Sequence, residues 1–174
     1  DRAPNDEELL RLAQFPTEPG VGEALQALLT NEKSRATVAE KLLAQRTKLD
    51  AAQIAPLLTE TARAMLRSAD APIRNQSLAL IGGFQLTALE GDLVALLKSG
   101  HSGRGVRAPV LNTLRDLRSV ESDLFATLAK SDPDPLTRDA ALEALAASRA
   151  PDAATKLLAL YPSLQPPQRR SALN

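Results

Sequence analysis

The chain has no cysteine and no tryptophan, and its 174 residues include only three phenylalanines, one tyrosine and one histidine. Without cysteine, disulfides, thiolate metal sites and a cysteine nucleophile are excluded. Aromatic and β-branched residues, which favour strands, are scarce, and alanine and leucine make up most of the apolar 44%. Because alanine and leucine are the strongest helix formers, the composition predicts an all-α fold.

Neither sign of charge is in excess, since 21 lysines and arginines balance 21 aspartates and glutamates. A neutral chain produces no long-range field that would attract nucleic acid or an anionic membrane. It also lacks an apolar run approaching the roughly 20 residues of a membrane-spanning helix. We therefore expect neither nucleic acid nor a membrane as a partner.

A short pattern recurs in the second part of the chain, in which an arginine lies four residues after a turn residue and four residues before a leucine. The arginines are Arg74, Arg107, Arg138 and Arg169 (the arginine series), at intervals of 33, 31 and 31 residues. A period of about 32 residues fits two helices of about 12 residues with two short turns. The pattern therefore indicates repeated helix pairs.

Apolar stripes support the repeat, because leucines recur at helical spacing in both halves of each unit. The first helices contain Leu78 and Ile81; Leu111, Leu114 and Leu117; Leu142 and Leu145. The second helices contain Leu93, Leu96 and Leu97; Leu124, Phe125 and Leu128; Leu157, Leu158 and Tyr161. A lone helix pair cannot bury both faces, so we expect each pair to stack on the next in an α-solenoid of about five helix pairs.

Before residue 70 the pattern is irregular, and helices are predicted near residues 6–15, 21–31, 35–47 and 51–68. Pro56 should make the fourth helix start late or kink. Asn5–Glu8 and Thr87–Glu90 are predicted capping boxes, and Asp134 a predicted N-cap. We expect one domain over residues 1–174, with irregular pairs in 1–69 and regular repeats in 70–174, cut from a longer protein.

The polar features have two interpretations, one functional and one structural. The arginine series is either an anion-binding row or a set of contacts to turn carbonyls and carboxylates, with Asp70 and Asp134 as caps; we favour the second. His101 stands alone in a glycine-rich loop, without the partners that a triad or a zinc site needs. Carboxylates cluster where helices start, as helix dipoles favour. We expect no catalytic residue, no metal and no cofactor.

The pattern Asp-x-x-x-Arg-x-x-Ala-Leu at this period resembles HEAT repeats of the phycobilisome-lyase-like subtype. The resemblance implies an all-α fold, a right-handed α-α superhelix of the armadillo/HEAT type. Residues 55–72 and 160–173 are also similar to helical regions of large exported proteins of planctomycete-like bacteria. There the region joins a sugar-dehydrogenase-like propeller to a c-type haem domain. The likeness implies an exported or periplasmic spacer, with the haem outside this chain because no Cys-x-x-Cys-His occurs here.

Such repeats imply a scaffold that binds a protein, or neighbouring domains of the same chain, without a small-molecule substrate. In HEAT-like proteins the second helices line the concave side. The candidate face then comprises Glu90, Asp92, Ala95, Lys98, Glu121, Asp123, Thr127, Lys130, Asp152 and Lys156.

The alternative is a DNA-binding protein of the HEAT-like alkylpurine glycosylase type, which needs a cationic groove and aromatic side chains beside the base. Six arginines are the candidates for a local basic patch: Arg67, Arg74, Arg104, Arg107, Arg115 and Arg118.

Overall fold

Helices form most of the part of the chain that the computed structural model describes, which is residues 5–99, 105–165 and 168–169. Within these residues there are ten α-helices and no strand, so the fold is all-α as predicted. None of the described helices has the length and apolar character needed to cross a membrane. The helices are α1 (Asp6–Gln14), α2 (Val21–Thr30), α3 (Arg35–Ala44), α4 (Ala51–Leu66), α5 (Ala71–Gly83), α6 (Glu90–Lys98), α7 (Arg107–Asp116), α8 (Ser122–Ser131), α9 (Pro135–Ala147) and α10 (Ala153–Leu160).

The starts of the helices follow the predicted capping in two of four cases. Asn5 forms the predicted capping box, in which its side chain accepts from Glu8 N at 2.9 Å and its own N–H donates to the Glu8 carboxylate at 2.8 Å. Asp134 accepts from two backbone N–H groups at the start of α9. Asp70 occupies the N-cap of α5 but its side chain makes no capping hydrogen bond. Thr87 lies inside a 3-10 turn, Thr87–Leu89, that precedes α6, so the capping box predicted there is wrong.

Helix α4 runs through Pro56 from Ala51 to Leu66, so the predicted late start is wrong. Asp50 caps the helix ahead of the proline, since its side chain accepts from Ala52 N at 2.9 Å. A proline inside a helix costs about 3 kcal/mol because one hydrogen bond is lost. Burial of Ile54 and Leu58 on either side of Pro56 offsets that cost.

The chain divides into two compact units, residues 1–89 and 90–174. In the first unit, α2 packs against α1, α3 and α4, while α5 packs against α3 and α4. The core of this unit is aliphatic and includes Leu25, Leu29 and Met65. The principal packing is thus between helices that are one or two positions apart in the chain.

The second unit has the same kind of packing. Helix α9 packs against α7, α8 and α10, while α8 also contacts α10 and α6 contacts α7. Its core includes Leu93, Leu114 and Phe125. The division after Leu89 differs from the change of sequence pattern at residue 70, and a single domain over 1–174 stays a prediction.

The repeat is visible as a repeated pattern of burial in α5, α7 and α9. Counted from the repeat arginine that begins each pattern, the residues at positions +3, +4, +6 and +7 are buried in all three helices. These residues are Ser77, Leu78, Leu80 and Ile81; Val110, Leu111, Thr113 and Leu114; Ala141, Leu142, Ala144 and Leu145. The predicted stripes of the first helices are therefore confirmed.

The second helices follow the prediction less closely. Leu93, Leu97, Phe125 and Leu128 are buried, but Leu158 is 69% exposed, so its assignment to an apolar core face is wrong. Helix α10 buries only Ala153. The side of α10 that faces α8 and α9 instead includes Lys156 and Leu157, which are both half-buried.

Two repeats share an ending that the sequence pattern does not predict. Gln85 and Arg118, eleven residues after their repeat arginines, have φ angles of 53° and 52°. After α7, Arg118 N donates to Arg115 O at 2.8 Å and Ser119 N to Leu114 O at 3.0 Å. These two bonds form a Schellman motif, which usually places glycine at the left-handed residue. Here that residue has a side chain.

Candidate interaction surface

Three members of the arginine series bind backbone carbonyls that lie five or six residues before them in the chain. Arg74 donates to Ser68 O at 2.8 Å, and Arg138 donates to Asp132 O at 2.8 Å. Arg169 donates to Leu164 O at 3.0 Å. The predicted contact to a turn carbonyl is confirmed for these three residues. For Arg74 and Arg138, the guanidinium ties the start of α5 or α9 to the preceding turn. The turn is the arginine's own, rather than one in the neighbouring repeat.

Arg107 differs, because it reaches forward to the next repeat and pairs with Asp132. The Asp132 side chain is 1% exposed, and its other oxygen accepts from Asp134 N at 3.0 Å. Arg107 also donates to Leu97 O at 3.2 Å. A buried carboxylate requires such partners, since an unpaired one is costly. The pair borders a cavity of about 260 Å³ that Pro133 and Thr137 also line.

A groove with a volume of about 500 Å³ lies between α8 and α10 in the second unit. Small side chains form much of its wall, among them Ala126, Thr127 and Ala159. The charged lining residues are Asp123, Lys130 and Lys156, all of them members of the predicted face. The groove is therefore lined largely by small side chains and bordered by both signs of charge.

An ion cluster joins the two helices at the amino-terminal end of this groove. The Lys156 ammonium lies 2.6 Å from Asp123 Oδ1 and 2.7 Å from Asp152 Oδ2. It also donates to Ser122 Oγ at 2.9 Å, and Ser122 Oγ donates to Asp152 Oδ1 at 2.7 Å. We call Ser122, Asp123, Asp152 and Lys156 the Lys156 cluster.

The contacts within the cluster shift the pKa values of Asp152 and Lys156 in the directions that favour their charged forms. Hydrogen bonds, first from Lys156 and then from Ser122, hold the pKa of the Asp152 carboxyl below its ordinary value. Hydrogen bonds to Asp123 and Asp152 raise the pKa of the Lys156 ammonium. A lysine that holds its proton this firmly is a poor general base. Ser122, which is 4% exposed, is also closed to a substrate.

The other predicted face residues lie elsewhere in the second unit. Glu90 and Asp92 are in the first turn of α6 and Lys98 is in its last turn. Glu121 occupies the N-cap position of α8 without a capping side-chain bond. Ala95 is exposed on α6. The structure thus brings together the predicted residues of α8 and α10.

The arginines that were candidates for a basic patch fall into different surroundings. Arg74 belongs to the first unit and binds carbonyls, while Arg107 pairs with Asp132. Arg115 pairs with Asp116 at 3.1 Å and with Glu143 at 2.6 Å, and the latter bond links α7 to α9. Arg104 and His101, with the glycine-rich loop, lie outside the described residues. Among the described residues, no three histidine or carboxylate side chains are placed to hold a metal ion.

Sequence reasoning did not identify Asp132 and Ser122 as interacting residues. Asp132 was hidden in an Asp-Pro-Asp-Pro turn, where Asp134 is the expected cap. Ser122 gives no signal beyond its place at a helix start. Asp132 becomes an interacting residue only because Arg107 packs beside it, and Ser122 only because Asp152 and Lys156 at α10 do so.

Comparison with known proteins adds no further evidence, since no protein family, no curated protein and no solved structure matches the chain. The likeness to HEAT repeats and to exported helical regions thus stays a prediction.

Proposed function

We propose that this chain is a non-catalytic HEAT-like repeat module that acts as a scaffold or spacer, mediating protein–protein or inter-domain interaction. The observation that carries the proposal is the burial pattern of α5, α7 and α9, which recurs at the same positions after each repeat arginine. Helix pairs that repeat in this way bury their apolar faces against the next pair in the chain.

The packing within each unit supports a stack of helix pairs. In the first unit α3 contacts α1 and α5, and in the second α9 contacts α7. First helices thus pack on first helices, as consecutive repeats do in an α-solenoid. In a closed bundle the first and last helices would pack against each other. In both units the main packing is instead between helices one or two positions apart in the chain.

The surface chemistry of the α8–α10 groove favours a protein over a polyanion as the bound partner. Asp123 lies beside Lys156, so the potential at that end of the groove is not of one sign. Polyanion binding needs many unpaired cations along a strip. A protein surface that contributes small apolar groups and mixed charges fits the groove better.

A truncated chain tests the stacking. Residues 148–174, which include α10, are removed, and hydrogen exchange is measured in α1–α5. In a stack each pair depends only on its neighbours, so protection in the first unit should be unchanged. Loss of protection throughout α1–α5 would refute the repeat architecture.

Site-specific photo-crosslinking tests the interaction role in extracts of the source organism. A benzophenone amino acid replaces Thr127 in the groove, and the matched control replaces the exposed Ala146 on α9. A binding module should give a crosslink from position 127 that is absent from position 146 and weakened by Lys130→Glu. A spacer should give products within its own chain only. Retention of duplex DNA at low salt, lost steeply as salt rises, would instead favour the glycosylase-type alternative.

A further inference from the structure

Helix α10 is held in the fold differently from the two second helices before it. Helix α6 buries Leu93, Val94 and Leu97, and α8 buries Phe125 and Leu128. Helix α10 buries only Ala153, the residue that follows its N-cap. Its attachment therefore depends little on fully buried apolar side chains.

Aligning α8 with α10 at the repeat interval shows which residues of α10 differ from the core residues of α8. Ser122 and Ala153, the first residues of α8 and α10, are both buried and lie 31 residues apart, which is the repeat interval. At the same interval Lys156 stands where α8 has Phe125, and Ala159 stands where α8 has Leu128. A charged and a small residue thus replace two core side chains.

The Lys156 cluster links α10 to α8 through polar contacts, two of whose partners, Asp123 and Asp152, are exposed. Its ammonium group joins α10 to Asp123 and Ser122 of α8, at 2.6 and 2.9 Å. The Lys156 side chain is 22% exposed, whereas that of Asp123 is 94% exposed. Pairs with one exposed partner are weakened by salt, because screening shortens the range of the attraction from about 10 Å at 0.1 M to about 3 Å at 1 M.

We propose that α10 is an electrostatic latch, which opens locally from α8 and α9 while α7–α9 stay folded, and whose closure depends on the Lys156 cluster. Opening exposes the small core cluster of Leu142 and Leu164, against which Leu157 and Tyr161 pack in the closed form. Local opening of this kind is cooperative over a short segment and requires less free energy than global unfolding. The latch does not depend on the scaffold function proposed above.

Amide hydrogen exchange of the whole chain at rising potassium chloride concentration tests the latch. Between 0.05 and 1 M salt, exchange within α10 should accelerate about three- to tenfold, as expected for the loss of two partly exposed ion pairs. Exchange in α7 and α9 should change much less. Salt-independent exchange in α10, or equal acceleration in α7, would overturn the proposal.

Two lysine variants separate the cluster from general charge effects. Lys156→Met keeps the length of the side chain and removes the charge, so exchange in α10 should be fast already at low salt and insensitive to further salt. Lys130→Met is the matched control, because Lys130 is an exposed lysine of the same groove outside the cluster; it should leave the salt response unchanged. Unchanged protection of α7 and α9 shows that each variant is folded. If Lys156→Met does not fold, Asp152→Asn is used in its place. A full salt response in these cluster variants would contradict the latch.

Discussion

The left-handed residue after α7 leads to a stability prediction in which the strain of the backbone conformation opposes the chain entropy of glycine. Arg118 has a φ of 52° and an exposed side chain, so replacing it by alanine removes little beyond a solvated group. A residue with a Cβ costs roughly 1–2 kcal/mol in this conformation, and glycine avoids that cost. Glycine itself loses about 0.5–1 kcal/mol more than alanine in chain entropy on folding. We therefore expect Arg118→Gly to be more stable than Arg118→Ala, by about 0.5–1 kcal/mol.

The control is Ala146, an exposed residue of α9 in the same unit. There the helical conformation gives glycine no advantage, and Ala146→Gly should lose about 1 kcal/mol. The glycine–alanine difference should thus have opposite signs at the two sites. Urea unfolding followed by circular dichroism measures it as a shift of the midpoint at constant slope. If glycine is the less stable residue at both sites, the left-handed ending is refuted.

Three further perturbations test the packing and the ion cluster. Leu111→Ala, at a fully buried position of the repeat, should lower the free energy of unfolding by about 2–5 kcal/mol. Leu158→Ala, at a residue that is 69% exposed, should change it by no more than about 0.5 kcal/mol. Similar losses for both variants in chemical denaturation would contradict the assigned burial. Gly22→Ala should lower the free energy of unfolding by about 1–3 kcal/mol, because a Cβ there would lie 2.4 Å from Pro16 O. Gly91→Ala, with open space around it, should not destabilise the protein, and thermal melting distinguishes the two variants. The pKa of Asp152 is lowered in the fold, so its contribution to the free energy of unfolding is present above the unfolded pKa of about 3.9 and is lost as the pH falls through the lowered value. Asp152→Asn should therefore reduce the melting temperature at pH 7 and reduce it progressively less below pH 4. A reduction that persists undiminished at the lowest pH would disprove the linkage.

Position 156 illustrates how a regular pattern can mislead. Leu157 and Leu158 continue the leucine-rich character of the earlier second helices, so the sequence predicts that both lie on the core side. In the structure Lys156 faces α8, and Leu158 lies on the exposed side of α10. The orientation of α10 is fixed by its contacts with α8 and α9, which local spacing does not contain.

Composition and local spacing determine much of this protein by themselves. Abundant alanine and leucine specify helices, Asn5 and Asp134 specify two of their starts, and the interval between repeat arginines specifies which faces of α5, α7 and α9 are buried. These properties depend on side chains within a few turns of each other, so the sequence alone is sufficient. Only the tertiary structure decides that Arg107 reaches Asp132 and that Lys156 reaches Asp123, because these partners are 25 and 33 residues apart and meet only when the helices pack.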